Sequence, residues 1–298
     1  MPICVIFNPA ARGNKARYFR RYLDDMSGRA AFKATAAPGD ARRLAAEAVG
    51  DGFDTIAAAG GDGTVNEVLN GIGDARGFDR TRFGVLPLGT VNVFARELKI
   101  PLKLEYAWEV LRRGHERILD LPQVEFSQNG GIKKQFFIQL AGAGLDARAI
   151  ELVSWSHKKK IGPLAYVIAG LKALREKKPQ IQAVENSQGA NGSFHGELVL
   201  IGNGKFYGGT FNIFPEADLN DGVLDVCIFP RTDFGTLLSC GPDLLLRLRL
   251  PERAVKRFRA PSFELAGDAA AAFQLDGEGI GKLPAKFSIA GEKLRMIA

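Results

Sequence analysis

The chain has 298 residues, enough to bury a substantial core and to divide into two domains. An apolar fraction of 46% with 24% charged residues fits a folded chain and excludes an intrinsically disordered one. The net charge of +7 points to an anionic partner, a nucleotide or an acidic membrane surface. Nucleic acid is disfavoured as that partner, because no zinc-finger spacing or other reading motif accompanies the basic residues.

No stretch approaches the roughly eighteen uninterrupted apolar residues of a spanning helix. The opening MPICVIFNPA lacks a basic segment ahead of its apolar run and reads as a first strand, not a secretory signal. Cys4, Cys227 and Cys240 are far apart and without metal-ligand spacing, which predicts reduced thiols in a cytoplasmic protein.

In chain order, ICVIF (Ile3 to Phe7) is a strand stopped by Asn8-Pro9, followed by a helix carrying Tyr18, Phe19, Tyr22 and Leu23. AFKATAA is a second strand, after which Asp40 is placed to cap a helix with Ala41, Leu44, Ala45 and Ala48 on one face. FDTIAAAG is the third strand, and Val65, Val68, Leu69 and Ile72 share a face of the next helix. RFGVLPLGT supplies a fourth strand, then a short helix and another with Leu104, Ala107, Trp108 and Leu111 aligned. This alternation predicts an α/β domain built on a parallel, doubly wound sheet. From about Leu119 the chain changes to short strand-like runs separated by Gly, Pro and Asn, the texture of an antiparallel sandwich. Two helical insertions interrupt it, Ala147 to Lys178 and the leucine-rich Asp233 to Leu250.

Three loops carry chemistry. Gly60-Gly61-Asp62-Gly63-Thr64 joins a strand to a helix, the place where open α/β sheets bind ligands and where helix N–H groups favour phosphate. Alone, such a loop is equally a tight turn with Asp62 capping the helix. NPAARGN (Asn8 to Asn14) and LPLGTVN (Leu86 to Asn92) also follow strands, so all three loops project from one sheet edge and can converge on one nucleotide.

Taken together, Asn8-Pro9, the GGDGT loop with Asn66-Glu67 behind it, PLGTVNVFAREL, FPEADLNDGVLDV and QLDGEG closely resemble the diacylglycerol-kinase-type lipid kinase superfamily. That superfamily includes bacterial diacylglycerol kinases and the sphingosine and ceramide kinases. The resemblance spans nearly the whole chain in the family's order. It implies a nucleotide-binding domain over residues 1–120 and a β-sandwich, lipid-binding domain over residues 121–298, with the final EKLRMIA returning to the first domain.

The resemblance further implies that ATP lies against Asn8, Pro9, Thr35, Gly60, Gly61, Asp62, Gly63, Thr64, Asn66, Glu67, Gly89 and Thr90, with Asp62 near the phosphates and their Mg²⁺. Glu67 is either a supporting residue of the site or a helix cap. Phosphoryl transfer needs alignment, charge neutralisation and an acceptor for the hydroxyl proton. Asp276 and Glu278 of LDGEG, an ordinary hairpin turn if read alone, occupy the family's active-site motif, and one of them accepts that proton. Asp218 to Asp225 reads alone as a surface Asn-Asp-Gly turn. The resemblance implies a structural Mg²⁺ there, bound by Asp221 with main-chain carbonyls near Asp218 and Val223.

The implied reaction is transfer of the ATP γ-phosphate to the hydroxyl of a membrane lipid, diacylglycerol, ceramide or a sphingoid base. Many family members carry Asp where this chain has Val93, which puts diacylglycerol itself in doubt. Lys158, Lys159 and Lys160, beside His157 and an apolar helical run, suit a solvated face or attachment to the anionic inner face of a membrane. A homodimer is compatible with the sequence. An NAD-kinase-like soluble kinase shares the GGDGT loop, but PLGTVNVFAREL and QLDGEG fit the lipid kinases better. A catalytically silent binding protein is opposed by the intact Asp62, Asp276 and Glu278.

Overall fold

Four apolar runs form the parallel strands β1 (Ile3–Phe7), β2 (Ala30–Ala34), β3 (Thr55–Gly60) and β4 (Arg82–Pro87), in the order β2-β1-β3-β4. Helices α1 (Asp40–Gly50) and α2 (Asp62–Asp74) follow β2 and β3, and α3 (Val93–Glu97) and α4 (Leu104–Arg113) follow β4. The apolar faces expected from spacing on α1, α2 and α4 are buried in each case. Helices α1 and α2 touch at Gly71, where any side chain would collide with the carbonyl oxygen of Arg42. The computed structural model describes residues 2–9, 28–152, 178–185, 192–236, 240, 250–268 and 271–298. The expected helix bearing Tyr18 to Leu23, the tract of His157 and Lys158 to Lys160, and most of the leucine-rich insertion lie outside the described residues.

The second half adds β5 (Glu116–Gln128), β6 (Gly131–Phe136), β7 (Leu140–Gly144), α5 (Leu145–Leu152), β8 (Ile181–Glu185), β9 (Ser193–Gly196) and β10 (Leu198–Gly202). Then come β11 (Phe206–Tyr207), β12 (Phe211–Asn212), β13 (Leu224–Phe229), β14 (Lys256–Ala260), β15 (Ser262–Gly267), β16 (Ala272–Leu275), β17 (Glu278–Lys282) and β18 (Ala285–Ile297). The four parallel strands are not a closed sheet. Strands β5 and β18 have 13 residues each and pair antiparallel along their length. At its end β18 lies parallel to β4, with Met296 opposite Phe83, while its beginning pairs with β15. A strand of that length spans about 40 Å at 3.3 Å per residue, enough to serve both halves. One ten-stranded sheet, parallel at one end and antiparallel at the other, is the result.

A six-stranded antiparallel sheet, β14-β13-β10-β7-β16-β17, packs on the antiparallel part and completes the sandwich. Phe263 and Phe287 stack at 5.6 Å, and Phe273 of the facing sheet meets Phe287 edge-on at 5.8 Å. The outer face of this sheet is also covered, by a cluster including Leu198, Leu200, Cys227 and Phe229, so β7, β10 and β13 are buried at every residue. Burial on both faces is why those strands read as continuous apolar runs rather than alternating ones. All three cysteines are buried and outside any disulfide, and burial pushes the thiols of Cys4 and Cys227 up to about 11 and about 12. They behave as core atoms, not nucleophiles.

One local expectation is corrected. Asp40 does not cap α1 with its side chain. The cap position is Gly39 at φ +86°, and the Asp40 carboxylate instead accepts the N–H groups of Ala36 and Ala37 at 2.8 and 2.9 Å. The open N–H groups of Gly39 and Ala41 donate to Glu67 of α2, each at 3.1 Å. Glu67 therefore serves as a cap, but for the neighbouring helix.

Candidate active site

Asn8 and Pro9, the described part of the first loop, and the loops after β3 and β4 lie together at the carboxyl edge of the parallel strands. Asn8 N–H donates to Ala59 O at 3.1 Å and Thr35 N–H to Phe7 O at 3.0 Å, which sets Asn8, Pro9 and Thr35 beside the end of β3. Leu88 and Gly89 both donate to the carbonyl of Gly60, at 2.9 and 3.1 Å. The two loops cross in backbone contact, since a Cβ on Gly89 would collide with Cα of Gly61. Thr64 folds back over Gly60, where a Cβ would strike its side chain. These glycines exist to let chain approach chain, and Thr90 stands exposed beside the crossing.

Asp276 and Gly277 form a two-residue hairpin between β16 and β17, with φ of +48° and +88°, the primed turn favoured by Asp-Gly. The turn is half-buried, and its Asp276 carboxylate is directed into the protein. Asp276 Oδ1 accepts the N–H groups of Gln139 and Leu140, both at 3.0 Å, and Oδ2 accepts Ile138 N–H at 2.9 Å and the Asn66 amide at 2.7 Å. A carboxylate has about four acceptor positions, and all four are used. Burial nevertheless pushes the Asp276 carboxyl above its ordinary range, outweighing those donors.

Asn66 belongs to the nucleotide loop's helix, so this bond ties the two halves together. Asn70, one turn on, does the same: its Oδ1 accepts Phe136 N–H at 2.9 Å and its Nδ2 donates to Phe136 O at 2.9 Å. A third tie is Glu97, at the end of α3, whose Oε2 accepts the Gln139 amide and the N–H groups of Lys205 and Phe206 at 2.9 to 3.1 Å. Asn70, Glu97 and Gln139 were not expected from the sequence. The amides at 66 and 70 on an apolar helix face were the available signal, because a buried amide demands a partner.

Asp62 lies at the start of α2 with its carboxylate turned to the start of α3, where Phe94 N–H donates at 3.4 Å. Burial raises its carboxyl above the ordinary range; the N–H groups of Phe94, Val93 and Asn92 work against this and the charge of Asp276 adds to it. Val93 thus occupies the first turn of α3, beside Asp62. Glu278 is exposed and reaches over the first turn of α2, its Oε1 only 2.7 Å from where a methyl on Gly63 would sit. Asp62 and Asp276 are partly buried carboxyls, the charge of Asp276 raising Asp62, and their oxygens suit a hard divalent cation. Among the described residues Asn92 Oδ1, Gln139 Oε1 and Asn203 Oδ1 are buried acceptors without a protein donor.

The second acidic loop is arranged differently. Asp218 Oδ1 accepts Asn220 N–H at 3.0 Å, Asp221 Oδ1 accepts Val223 N–H at 3.2 Å, and Asp221 Oδ2 is paired with Arg259. Arg259 also reaches Asp225 at 3.3 Å. The loop is anchored by buried Asp120, which accepts Gly222 N–H at 2.7 Å and pairs with Lys293. A guanidinium thus supplies positive charge beside Asp221, the residue that the resemblance expects to bind a structural Mg²⁺ together with main-chain carbonyls near Asp218 and Val223.

Two family matches divide the chain along these lines. The diacylglycerol kinase catalytic domain matches residues 2–124, and the YegS C-terminal NAD kinase beta sandwich-like domain matches residues 139–298. The chain is 33% identical over 274 residues to "Probable lipid kinase YegS-like" of Pseudomonas aeruginosa (strain UCBPP-PA14), covering 89% of this chain and 83% of that one. It is 31% identical over 299 residues to "Diacylglycerol kinase" of Staphylococcus aureus (strain bovine RF122 / ET3-1), covering 95% and 88%. A crystal structure of a diacylglycerol kinase from Bacillus anthracis str. Sterne superimposes with a TM-score of 0.72 over 99% of this chain and 96% of that one, at 20% identity. Another chain from that organism gives 0.79 at 22% identity, over 99% and 94%. The fold and the site thus define a kinase of two lobes, a phosphotransferase with an alcohol acceptor. The chain belongs to the diacylglycerol-kinase-type lipid kinase superfamily.

Proposed function

We propose that the protein transfers the γ-phosphate of ATP to the primary hydroxyl of a membrane lipid: diacylglycerol, ceramide or a sphingoid base. The observation that carries this reading is the bond at 2.7 Å from Asn66, on the helix of the GGDGT loop, to Asp276 of the other lobe, whose charge is felt by Asp62. ATP lies against the loops after β1 to β4, including Asn8, Thr35, Gly60 to Asn66 and Thr90, with its phosphates at the start of α2. Mg²⁺, when bound, would neutralise charge on the phosphates, and Asp62 is the residue that would hold it.

The hydroxyl proton passes to Oδ2 of Asp276. Of its four donors only Asn66 is a side chain, and rotation of that amide frees the oxygen while the three main-chain donors hold the carboxylate in place. A carboxyl raised above its usual range is a stronger base when ionised, which suits the task. Glu278, over the first turn of α2, borders the phosphates. The buried acceptors Asn92, Gln139 and Asn203 suit donors of a hydroxylated head group. Val93, which removes a carboxylate from this edge, favours an acceptor that does not need one.

The protein works at the anionic inner face of a membrane, as its charge of +7 suggests. No helix among the described residues is long and apolar enough to cross one. The test is transfer of labelled γ-phosphate, with Mg²⁺, to diacylglycerol, ceramide, sphingosine and monoacylglycerol in mixed micelles, with NAD as a soluble control. Label in one lipid is the expected result; label in NAD alone, or nowhere, defeats the reading.

A further inference from the structure

A second carboxyl, partly buried, is linked to the Asp276 turn from behind. Asp146, the second residue of α5, has no cationic partner among the described residues. Its Oδ1 accepts the hydroxyl of Tyr207 and its Oδ2 accepts the Gln274 amide at 2.8 Å. Gln274, fully buried, accepts the N–H of Gly277 with its own Oε1 at 2.7 Å. The direction of this relay is fixed. Gly277 can only donate, so Gln274 must turn its oxygen to the hairpin and its NH₂ to Asp146, which must accept. Burial pushes the Asp146 carboxyl above its ordinary range, with the Tyr207 and Gln274 bonds working against it.

The surrounding fold makes room for this bond. Gly142 is the cross-strand partner of Gln274. A methyl on Gly142 would collide with Asp146 Oδ2 and lie 2.9 Å from Gln274 Nε2. Tyr207 stands next to Phe206, whose N–H is held by Glu97 of α3. The relay therefore runs from the hairpin, through Asp146, to the segment that borders the interlobe cleft. A partly buried carboxyl whose donors among the described residues are neutral is a costly way to fill space, and apolar residues of similar volume would stabilise as well or better. What it provides is one orientation of the Gln274 amide, and so one place for the Gly277 N–H.

We infer that Asp146 is a positioning residue for phosphoryl transfer, acting through Gln274 to hold the Asp276-Gly277 turn where Asp276 meets the amides of Ile138, Gln139 and Leu140. This rests on the phosphoryl-transfer role proposed above for Asp276. Asp146→Ala, Gln274→Leu and Gly142→Ala each release the turn. Asp146→Asn does not, because its oxygen still accepts from Gln274 and the Tyr207 hydroxyl can turn to accept from its NH₂.

The experiment compares kcat and KM for ATP in these four variants, using the lipid the wild type phosphorylates, with amide hydrogen exchange at Gly277 in the nucleotide-free protein. A displacement of the turn by about 1 Å costs on the order of 10²-fold in kcat. We expect such a loss in the first three variants, KM for ATP within about 2-fold of wild type because the phosphate loop is untouched, and faster exchange at Gly277. Asp146→Asn recovers most of kcat and the slow exchange. Wild-type kcat in folded Gln274→Leu and Gly142→Ala, or unchanged exchange at Gly277, overturns the inference, whether or not Asp146→Ala folds. If wild type phosphorylates none of the acceptors, the proposed function fails, and exchange at Gly277 alone still decides the relay.

Discussion

Two Asp-Gly turns in this protein look alike on paper and are put to opposite uses. Asp276-Gly277 and Asp221-Gly222 are both short turns with a glycine at positive φ, +88° and +78°. Each has a second acidic residue close by. Asp276 is turned inward onto three main-chain N–H groups and one amide from the other lobe. Asp221 is turned outward onto an arginine. The first carboxylate is held by donors that carry no net charge, so it keeps its own charge available for chemistry. The second has its charge cancelled where it stands. The dipeptide sets the backbone, and the partners set the role.

The largest effect should come from Asp276→Asn. Losing a proton acceptor lowers kcat by about 10²- to 10⁴-fold. The amide also turns an NH₂ toward at least one main-chain N–H, leaving buried donors unpaired at about 1–3 kcal/mol. Both losses should appear together, in kinetics and in denaturant unfolding. Loss of stability with turnover intact would reduce the turn to a structural clasp. Asp221→Asn, measured alongside, should leave kcat within about 2-fold, because its partners among the described residues are Val223 N–H and Arg259, outside the proposed site.

Next comes the same change in both turns. Gly277→Ala and Gly222→Ala place a methyl in open space but at positive φ, and each should lose about 1–2 kcal/mol of stability. Only Gly277→Ala should also lower kcat. Equal kinetics in the two variants would break the comparison.

A smaller effect is carried by protons. The Asp276 carboxyl is raised in the folded state, so the native protein binds that proton more tightly than the unfolded chain. Its contribution to stability is complete below the ordinary carboxylate pKa and declines as pH rises from there through the raised value. The stability gap between wild type and Asp276→Asn should therefore narrow as pH increases over that window. A gap that widened would give the shift the opposite sign.

The sequence made the first of these turns visible as chemistry but not as structure. The glycine loops after β3 and β4 were legible because local demands fix them: a helix start, a strand end and two backbones in contact leave no room for side chains. The apolar faces of α1, α2 and α4 were legible for the same reason. Glu67 was legible as a cap but not as the cap of α1, since its partners lie 26 and 28 residues away. The four donors of Asp276 come from residues more than 130 positions distant, and no periodicity encodes them. The single sheet was hidden too, because β5 and β18 each look like two ordinary strands until their common register is known. The surroundings of the acidic cluster at Asp218 to Asp225 were hidden as well: Arg259, which pairs with Asp221, is 38 positions away.

That arginine supplies the last and smallest prediction. The Asp221–Arg259 pair keeps a quarter or more of each side chain exposed, and such pairs contribute about 0–1 kcal/mol. If the guanidinium holds the position of a cation, nucleotide-free wild type should show the same thermal midpoint with Mg²⁺ and with chelator. In Arg259→Ala, Asp221 and Asp225 lose the positive partner they have among the described residues, and Mg²⁺ should then raise the midpoint by a few degrees, about 1 kcal/mol. The rise should vanish when Asp221→Asn is added. A Mg²⁺-dependent rise in wild type that Asp221→Asn removes would mean that a divalent ion displaces Arg259. The two turns would then differ in the charge of their partner's source, a metal instead of a side chain, and the metal site expected from the sequence would stand.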